Sequence, residues 1–525
     1  MSRSKPNRSP ATLTRNRVNP APVSGICVTC LDGCPGPCEI GRSAVRGREL
    51  LYPMPFGKVT AGSEKDYPVD FSHFNIQGTC VGALGIEADP DKAVFPAVDV
   101  STEIGRQHKI KLAFPAFTGA LGSTEIAQKH WKSMAIGAAI CGLIIVCGEN
   151  VCGMDPNAEI KKGRIIRSPE MERRIQTFRQ WYQGYGDIIV QANVEDTRLG
   201  VPEYIIEKLG VEFLEVKWGQ GAKDIGGEVK LFNLDRARQV QGRGYIVLPD
   251  PSDPITIEQY QLHGIREFER HSRVAMVTEE DFYKTVERLR SLGAKRVSLK
   301  TGAYRPADLA LAVKCASQAR VDLLTVDGAG GGTGMSPWAM MNEWGMPTVY
   351  IESLLYEYLS FLDRKGEFVP DVAIAGGLSM EDHVFKALAL GAPYVKLACM
   401  GRAIMTATFV GNLEGKKLAE KCAHEQRDLK DAYLEHFAEV GTLRRRYPLG
   451  EYGRIPAGGV GLYSYINRMT QGLQQFLAGA RKFSLKYLSR DDLVALTEEA
   501  ARVSGLPYIM DADAAAVEKI LGYRR

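Results

Sequence analysis

The chain has 525 residues, 45% of them hydrophobic and 24% charged, with a formal net charge of +4 at pH 7. This is an ordinary globular composition. The small charge, with no basic stripe interleaved with aromatics, excludes a dedicated nucleic-acid binder. No apolar run approaches bilayer length and the N-terminus lacks the apolar core of a secretory signal, so a cytoplasmic protein with no membrane partner is expected.

Residues 1–24 (MSRSKPNRSPATLTRNRVNPAPVS) are basic, polar and Pro-rich and read as a disordered tail. Residues 25–105 form a Gly- and Pro-containing extension with little periodicity. Within it CVTCLDGCPGPC places Cys27, Cys30, Cys34 and Cys38 on one short loop. Without an export signal, such a cluster points to metal rather than disulfides. Four thiolates can hold one iron–sulfur cluster, with Cys80 as a substitute ligand, or one closed zinc site.

From residue 106 to 485 short apolar runs alternate with helical stretches. The runs are KIKLAFPAF (109–117), GLIIVCG (142–148), DIIVQAN (187–193), FLEVKWG (213–219), RVSLKTG (296–302), LLTVDG (323–328), DVAIAGG (371–377) and YVKLACM (394–400). Amphipathic stretches such as PEMERRIQTFRQWYQ and FYKTVERLRSLG separate them. Strand then helix, repeated eight times in some 300 residues, predicts an α/β fold, a (β/α)8 barrel, with a doubly wound open sheet as the alternative. The connection 220–270 is too long for a plain βα loop and is expected to carry function. Residues 486–525 read as C-terminal helices packed outside.

In a barrel the chemistry sits where strands end. Those ends supply Glu149, Gln191, Lys217, Gln220, Lys223 and Lys300. Charges so close to buried strands need partners, and a ligand is one such partner. The last two runs open helices through AGGLS and ACMGRA, where backbone N–H groups and a helix dipole suit a phosphate. VDGAGGGTGMSP (326–337) holds five glycines in twelve residues, against about one in fourteen usually. Something must approach that backbone closely. Cys141, Cys147 and Cys152 are spaced for a cluster, but on and after a strand they read as core thiols, with Cys147 and Cys152 bordering the substrate. His73, His108 and His383 show no metal spacing.

GALGSTE (119–125), VKWGQGAKDIGGE (216–228), DGAGGGTGMSP (327–337), AGGLSMEDHVFKALALGA (375–392) and YLSRDDLVALTEEAARVSGLPYI (487–509) resemble, in order, motifs of the FMN-binding synthase domain of glutamate synthase. The resemblance implies a barrel carrying FMN. On that analogy Gly376, Gly377, Gly401 and Arg402 hold the phosphate, Lys300 lies by the pyrimidine side of the ring, and Gln191, Gly331 and Gly332 border the cofactor. Glu149, Lys223 and Gln220 fall at the substrate. The implied reaction reduces an imine, made from 2-oxoglutarate or a similar 2-oxo acid and an amine or ammonia, to the amino acid.

The departures are specific. Ala329 and Gly330 stand where the family has His-Asp. The family's amidotransferase domain, with its N-terminal nucleophilic Cys, is missing, so ammonia is expected from a separate amidotransferase chain. The family's cluster cysteines after the barrel are also missing, and the N-terminal four replace them. Because no second dinucleotide-binding unit is evident, an iron–sulfur cluster fed by ferredoxin or a reductase subunit is favoured over zinc. Two other readings remain: an FMN oxidoreductase on another amine or acid, and a flavin and iron–sulfur electron-transfer subunit.

Overall fold

The computed structural model describes residues 44–47, 63, 65–226, 228–333 and 336–523. Eight parallel strands form one sheet: β1 (Ala116–Thr118), β2 (Ile145–Cys147), β3 (Ile188–Ala192), β4 (Phe213–Lys217), β5 (Arg296–Thr301), β6 (Leu323–Asp327), β7 (Asp371–Ala375) and β8 (Val395–Met400). Their order is β1-β8-β7-β6-β5-β4-β3-β2. The ring closes between β1 and β2, where the Thr118 N–H donates to Ile144 O at 3.1 Å and the Leu121 N–H to Val146 O at 3.0 Å. Every strand lies beside its sequence neighbour, so there is no switch point and the fold is a (β/α)8 barrel, not a doubly wound sheet.

The helices that follow the strands are α1 (Glu125–Ile140), α2 (Pro169–Arg179), α3 (Val201–Glu207), α4 (Glu279–Leu292), α5 (Pro306–Gln318), α6 (Thr348–Arg364), α7 (Glu381–Leu390) and α8 (Arg402–Glu425). Local signals start them. Thr124, Ser168 and Thr278 accept N–H bonds from the first turns of α1, α2 and α4, and Pro169 and Pro306 open α2 and α5. α4 shows why its period is helical: Phe282, Val286 and Leu289 are its buried stripe. β5 is buried at every position, as a strand covered on both faces must be.

The apolar run 109–117 is not one strand. Pro115, which has no N–H to give a ladder, separates β1 from the strand Ile110–Leu112, which pairs antiparallel with Thr102–Ile104. This hairpin stoppers the N-terminal end of the barrel. Ile104, Ile110 and Leu112 join the interior layer of Phe117, Ile144, Val146, Ile189, Phe213 and Leu397. At its tip the Gly105 N–H donates to Asp371 Oδ2 (2.8 Å) and the Arg106 N–H to Asp322 Oδ1 (3.0 Å), tying it to β7 and to the approach to β6.

Two additions complete the fold. Between β4 and α4 the strands Glu228–Leu231, Ile246–Leu248 and Phe268–His271 make an antiparallel sheet with Phe268–His271 in the middle. After α8 the helix α9 (Ala457–Gly479) packs along α1 and α8. The tail is not helical throughout: Leu493–Ala495 is a strand, paired antiparallel with Phe74–Ile76 of the N-terminal extension. Among the described residues no helix is long and apolar enough to cross a membrane.

Candidate active site at the barrel mouth

A cavity of about 880 Å³ opens at the C-terminal ends of the strands, and all eight ends contribute to its wall. It brings together Glu149, Gln191, Gln220, Lys223, Lys300, Gly331, Gly332, Gly376, Gly377, Gly401 and Arg402. Cys27, Cys30, Cys34 and Cys38 lie outside the described residues.

The glycine run after β6 is explained partly by the protein itself. A Cβ on Gly328 would lie 2.5 Å from Thr348 Cα, and one on Gly376, whose φ is +128°, would lie 2.2 Å from Thr348 Oγ1 and 2.6 Å from Gly328 O. The β6 and β7 loops therefore touch backbone to backbone, pinned by the first residue of α6. The Thr348 hydroxyl lies 3.0 Å from Ala329 O and 2.8 Å from Gly376 O. Among the described glycines of the run, Gly331 and Gly332 reach the cavity. Ala329 is 2% exposed and lies in this packed layer rather than on the cavity wall.

On the neighbouring rim, a Cβ at Gly401 would meet nothing within 4 Å, so the N-terminus of α8 stands open to the cavity. Arg402 follows it. Its guanidinium makes no hydrogen bond or ion pair with another described residue, and burial lowers its pKa.

Lys300, buried on β5, lies 3.3 Å from Asp327 Oδ2. Burial opposes its charge, yet Asp327 together with Cys399 and Glu215 raises its pKa, so it stays an ammonium. Below it Glu215 is fully buried; Gln191 Nε2 donates to its Oε1 at 2.6 Å, and burial raises its pKa. Gln191 Oε1 is buried with no partner.

The β2–β4 side is built from charges. Lys217 Nζ donates to both carboxylate oxygens of Glu149 at 2.7 Å and to Gln220 Oε1 at 3.0 Å. Burial alone would raise the Glu149 pKa, but Lys217, helped by Arg270 and Lys223, holds it below the usual range. Glu149 is thus an ionised carboxylate. Lys223 Nζ donates to Glu228 Oε2 at 2.6 Å, both side chains being buried; burial lowers the Lys223 pKa against the pull of Glu228. Asn150, in the left-handed region at φ +63°, donates its N–H to Asp196 Oδ2 at 2.9 Å. Burial pushes Asp196 up to about 7.

Glu228, Asp196, Arg270 and Asp327 are members of the site to which the sequence gives no role, and Lys217, offered by its strand end, proves to be the partner of Glu149. Asp196 had a signal, the Asn-x-x-Asp spacing of a capping box, which it forms with Asn193. Arg270 had only the alternation of FERH in a segment with no strand assigned. Cys147 and Cys152 do not border the cavity. They are core thiols, Cys147 Sγ lying 3.7 Å from Met171 Sδ, and burial raises the pKa of both. Among the described residues no group of His, Cys, Asp and Glu is disposed to hold a metal ion.

Comparison with known proteins places this mouth in context. A family model described as the conserved region in glutamate synthase matches residues 270–409, which run from Arg270 through β5–β8 into α8. The glutamate synthase large subunit-like protein of Rhizobium meliloti (strain 1021) is 30% identical over 233 residues, 41% of this chain and 46% of that protein. The chain thus spans about half the length of that curated relative. Among solved structures, the flavin-binding domain of baker's yeast flavocytochrome b2 has a TM-score of 0.47 at 14% identity, covering 84% of this chain and 80% of that one. A soluble mutant of (S)-mandelate dehydrogenase from Pseudomonas putida has a TM-score of 0.39 at 16% identity, covering 81% and 88%. Likenesses at these scores carry no argument. The sequence matches do: the chain contains a domain related to the glutamate synthase large-subunit family.

Proposed function

We propose that the cavity binds FMN and that the chain is an FMN-dependent oxidoreductase acting on a small amine or acid. One observation carries the reading: a single cavity joins bare glycine backbone and the unpartnered Arg402 on the β7–β8 rim to a buried ammonium, Lys300, on β5. A phosphoryl tail needs N–H donors and a guanidinium. Gly376, Gly377, Gly401 and Arg402 supply them. A flavin ring needs a cation near its pyrimidine edge and polar partners in an otherwise close-fitting slot; Lys300 and the orphaned Gln191 Oε1 fit that need, beside Gly331 and Gly332.

Bound FMN would supply two-electron chemistry. The protein's own residues do the rest. Lys300 holds positive charge where negative charge would accumulate. Glu149, kept ionised by Lys217, is a proton acceptor at its carboxylate; Lys217, itself held by Gln220, fixes its orientation. Lys223 is a buried ammonium able to orient a polar substrate group.

The narrower reading is reduction of an imine of 2-oxoglutarate or a similar 2-oxo acid. Electrons would come from ferredoxin or a reductase subunit through a cluster on Cys27, Cys30, Cys34 and Cys38, and ammonia from a separate amidotransferase chain. The relationship to glutamate synthase supports it. Ala329 and Gly330, in place of His-Asp, favour the broader reading.

Anaerobic purification with an absorbance spectrum and iron and zinc analysis tests the proposal. The expected protein is yellow, or becomes so with added FMN, and Arg402→Met weakens FMN binding about 10- to 100-fold. A colourless protein that cannot take up FMN refutes it. Reoxidation of the reduced protein by 2-oxoglutarate plus ammonia, but not by other oxo acids, selects the narrower reading.

A further inference from the structure

The N-terminal extension reaches the barrel mouth on its glycine side. Its root is fixed outside the barrel. Phe74–Ile76 pairs with Leu493–Ala495, Lys386 of α7 donates its Nζ to Phe71 O at 3.0 Å, and Val69 is fully buried. Traced back from this root, the chain lies as a strap against the loop after β6. The Tyr67 ring rests on Gly330, whose φ is +116°; a Cβ there would lie 3.5 Å from Tyr67 Cε2. The Ser63 N–H donates to Gly331 O at 3.4 Å, the Ser63 hydroxyl to Asn342 Oδ1 at 3.3 Å, and Lys65 Nζ to Glu343 Oε2 at 2.5 Å.

The strap supports a part of the wall that little else holds. Gly328 and Ala329 are pinned by Thr348 and by the Ala329 N–H, which donates to Met346 O at 2.7 Å. Past Ala329 that support ends. Among the described residues, positions 330–333 make one backbone hydrogen bond, the one accepted from Ser63. Successive glycines have the most backbone freedom to lose, so a run of them is costly to order unless it is clamped. Here it is clamped from two sides. Opposite the strap, a Cβ on Gly331 would lie 3.4 Å from Gly376 Cα, and one on Gly377 would lie 3.2 Å from Gly330 O. Gly331, Gly376 and Gly377 all reach the cavity, and Tyr67 stands behind them.

We infer that Ser63, Lys65 and Tyr67 form a positioning strap, which holds Gly330 and Gly331 in the shape a cavity ligand needs, so that attachment of the strap and loading of the cavity stabilise each other. A ligand binds only the molecules whose wall is formed, and its apparent affinity falls in proportion to that fraction. The coupling is reciprocal: the factor by which the strap tightens binding is the factor by which the ligand tightens the strap. The bare Gly330 then has a reason. A side chain longer than a methyl group there would displace the Tyr67 ring. The inference rests on the proposed activity only in using FMN as the probe of the cavity.

The test is hydrogen–deuterium exchange of the full chain, read by mass spectrometry with and without FMN, alongside FMN titration followed by flavin fluorescence. Tyr67→Ala should speed exchange across residues 328–333 about 10-fold and weaken FMN binding by a similar factor, while α4 keeps its wild-type protection. Tyr67→Phe, which keeps the ring on Gly330, should behave as wild type. In the wild-type protein FMN should slow exchange at residues 65–67 by the factor that Tyr67→Ala costs in affinity. If Tyr67→Ala does not fold, Ser63→Pro carries the test in the same direction, because it removes both the N–H given to Gly331 and the hydroxyl given to Asn342. Wild-type exchange across 328–333 in a folded variant, or a loosened wall that binds FMN with wild-type affinity, overturns the inference. A wall loosened by Tyr67→Ala in a protein that takes up no FMN would leave the strap standing and remove the flavin.

Discussion

The two sides of the barrel mouth are made of different material. From β6 to β8 the cavity wall is largely backbone: Gly331, Gly332, Gly376, Gly377 and Gly401, ending in Arg402. From β2 to β4 it is charged side chain: Glu149, Lys223 and Arg270, with Lys217 and Asp196 behind them. The first side owes its shape to missing Cβ atoms, and the second to electrostatic pairing in a buried place. A fault on the glycine side should therefore be steric and indifferent to pH. A fault on the charged side should show as a change in pH dependence.

Gly376→Ala should give the largest effect. A side chain at φ +128° is strained, and its Cβ would collide with Gly328 O, a backbone atom that cannot swing away. The expected loss is upwards of about 4 kcal/mol of folding stability. Denaturant unfolding at acid and at neutral pH should show the same loss at both. A loss confined to one pH would erase the distinction between the two sides.

Asp196→Asn tests the other side. Asp196 has a folded pKa of about 7, raised by burial despite N–H donors from Asn150 and Asn193. Raised above its unfolded value near 4, it binds an extra proton in the folded state between about pH 4 and about pH 7. Its contribution is full below that window, declines as pH rises through it and is level above. Asn cannot titrate, so the variant should lose this decline, worth on the order of 4 kcal/mol. Melting curves across the window check it; parallel wild-type and variant profiles would count against the assignment.

The same contrast decides what could be read without coordinates. Glycine-rich strand ends are local in sequence, and each stretch such as AGGLS or ACMGRA carries its own signature. The barrel was legible for a related reason, since eight apolar runs and the helices between them are local periodicities. The charged side is an encounter between distant segments. Lys217 meets Glu149 across 68 positions, and Asn150 meets Ser272 across 122. No local pattern reports such a meeting. The strand ends offered Glu149, Lys217, Gln220 and Lys223 because barrel geometry says where to look. Arg270 lies within a long connection, where the sequence marks an excursion but not the side chain it aims into the mouth. Pro115 was a visible breaker inside the first run, and the stopper hairpin before it is what that proline signals.

The smallest effect expected comes from Lys217→Met. Lys217 is the strongest of the cations that hold Glu149 below the usual carboxylate range, but Arg270 and Lys223 remain when it is gone. Glu149 should stay ionised at neutral pH, with its pKa moved back up toward the usual carboxylate range. A carboxylate with a depressed folded pKa contributes stability that is present above its unfolded pKa and lost as pH falls through the folded one. In the variant that loss should end at a higher pH and be smaller, so the acid limb of the melting profile shifts and becomes shallower. Glu149→Gln in the same background should remove the shift, because the titrating group is gone. An acid limb that moves equally with and without Glu149 would assign the effect elsewhere. If Lys217→Met left it unmoved, Arg270 and Lys223 would already suffice, and the charged side would be as tolerant of losing one cation as the glycine side is intolerant of gaining one methyl group.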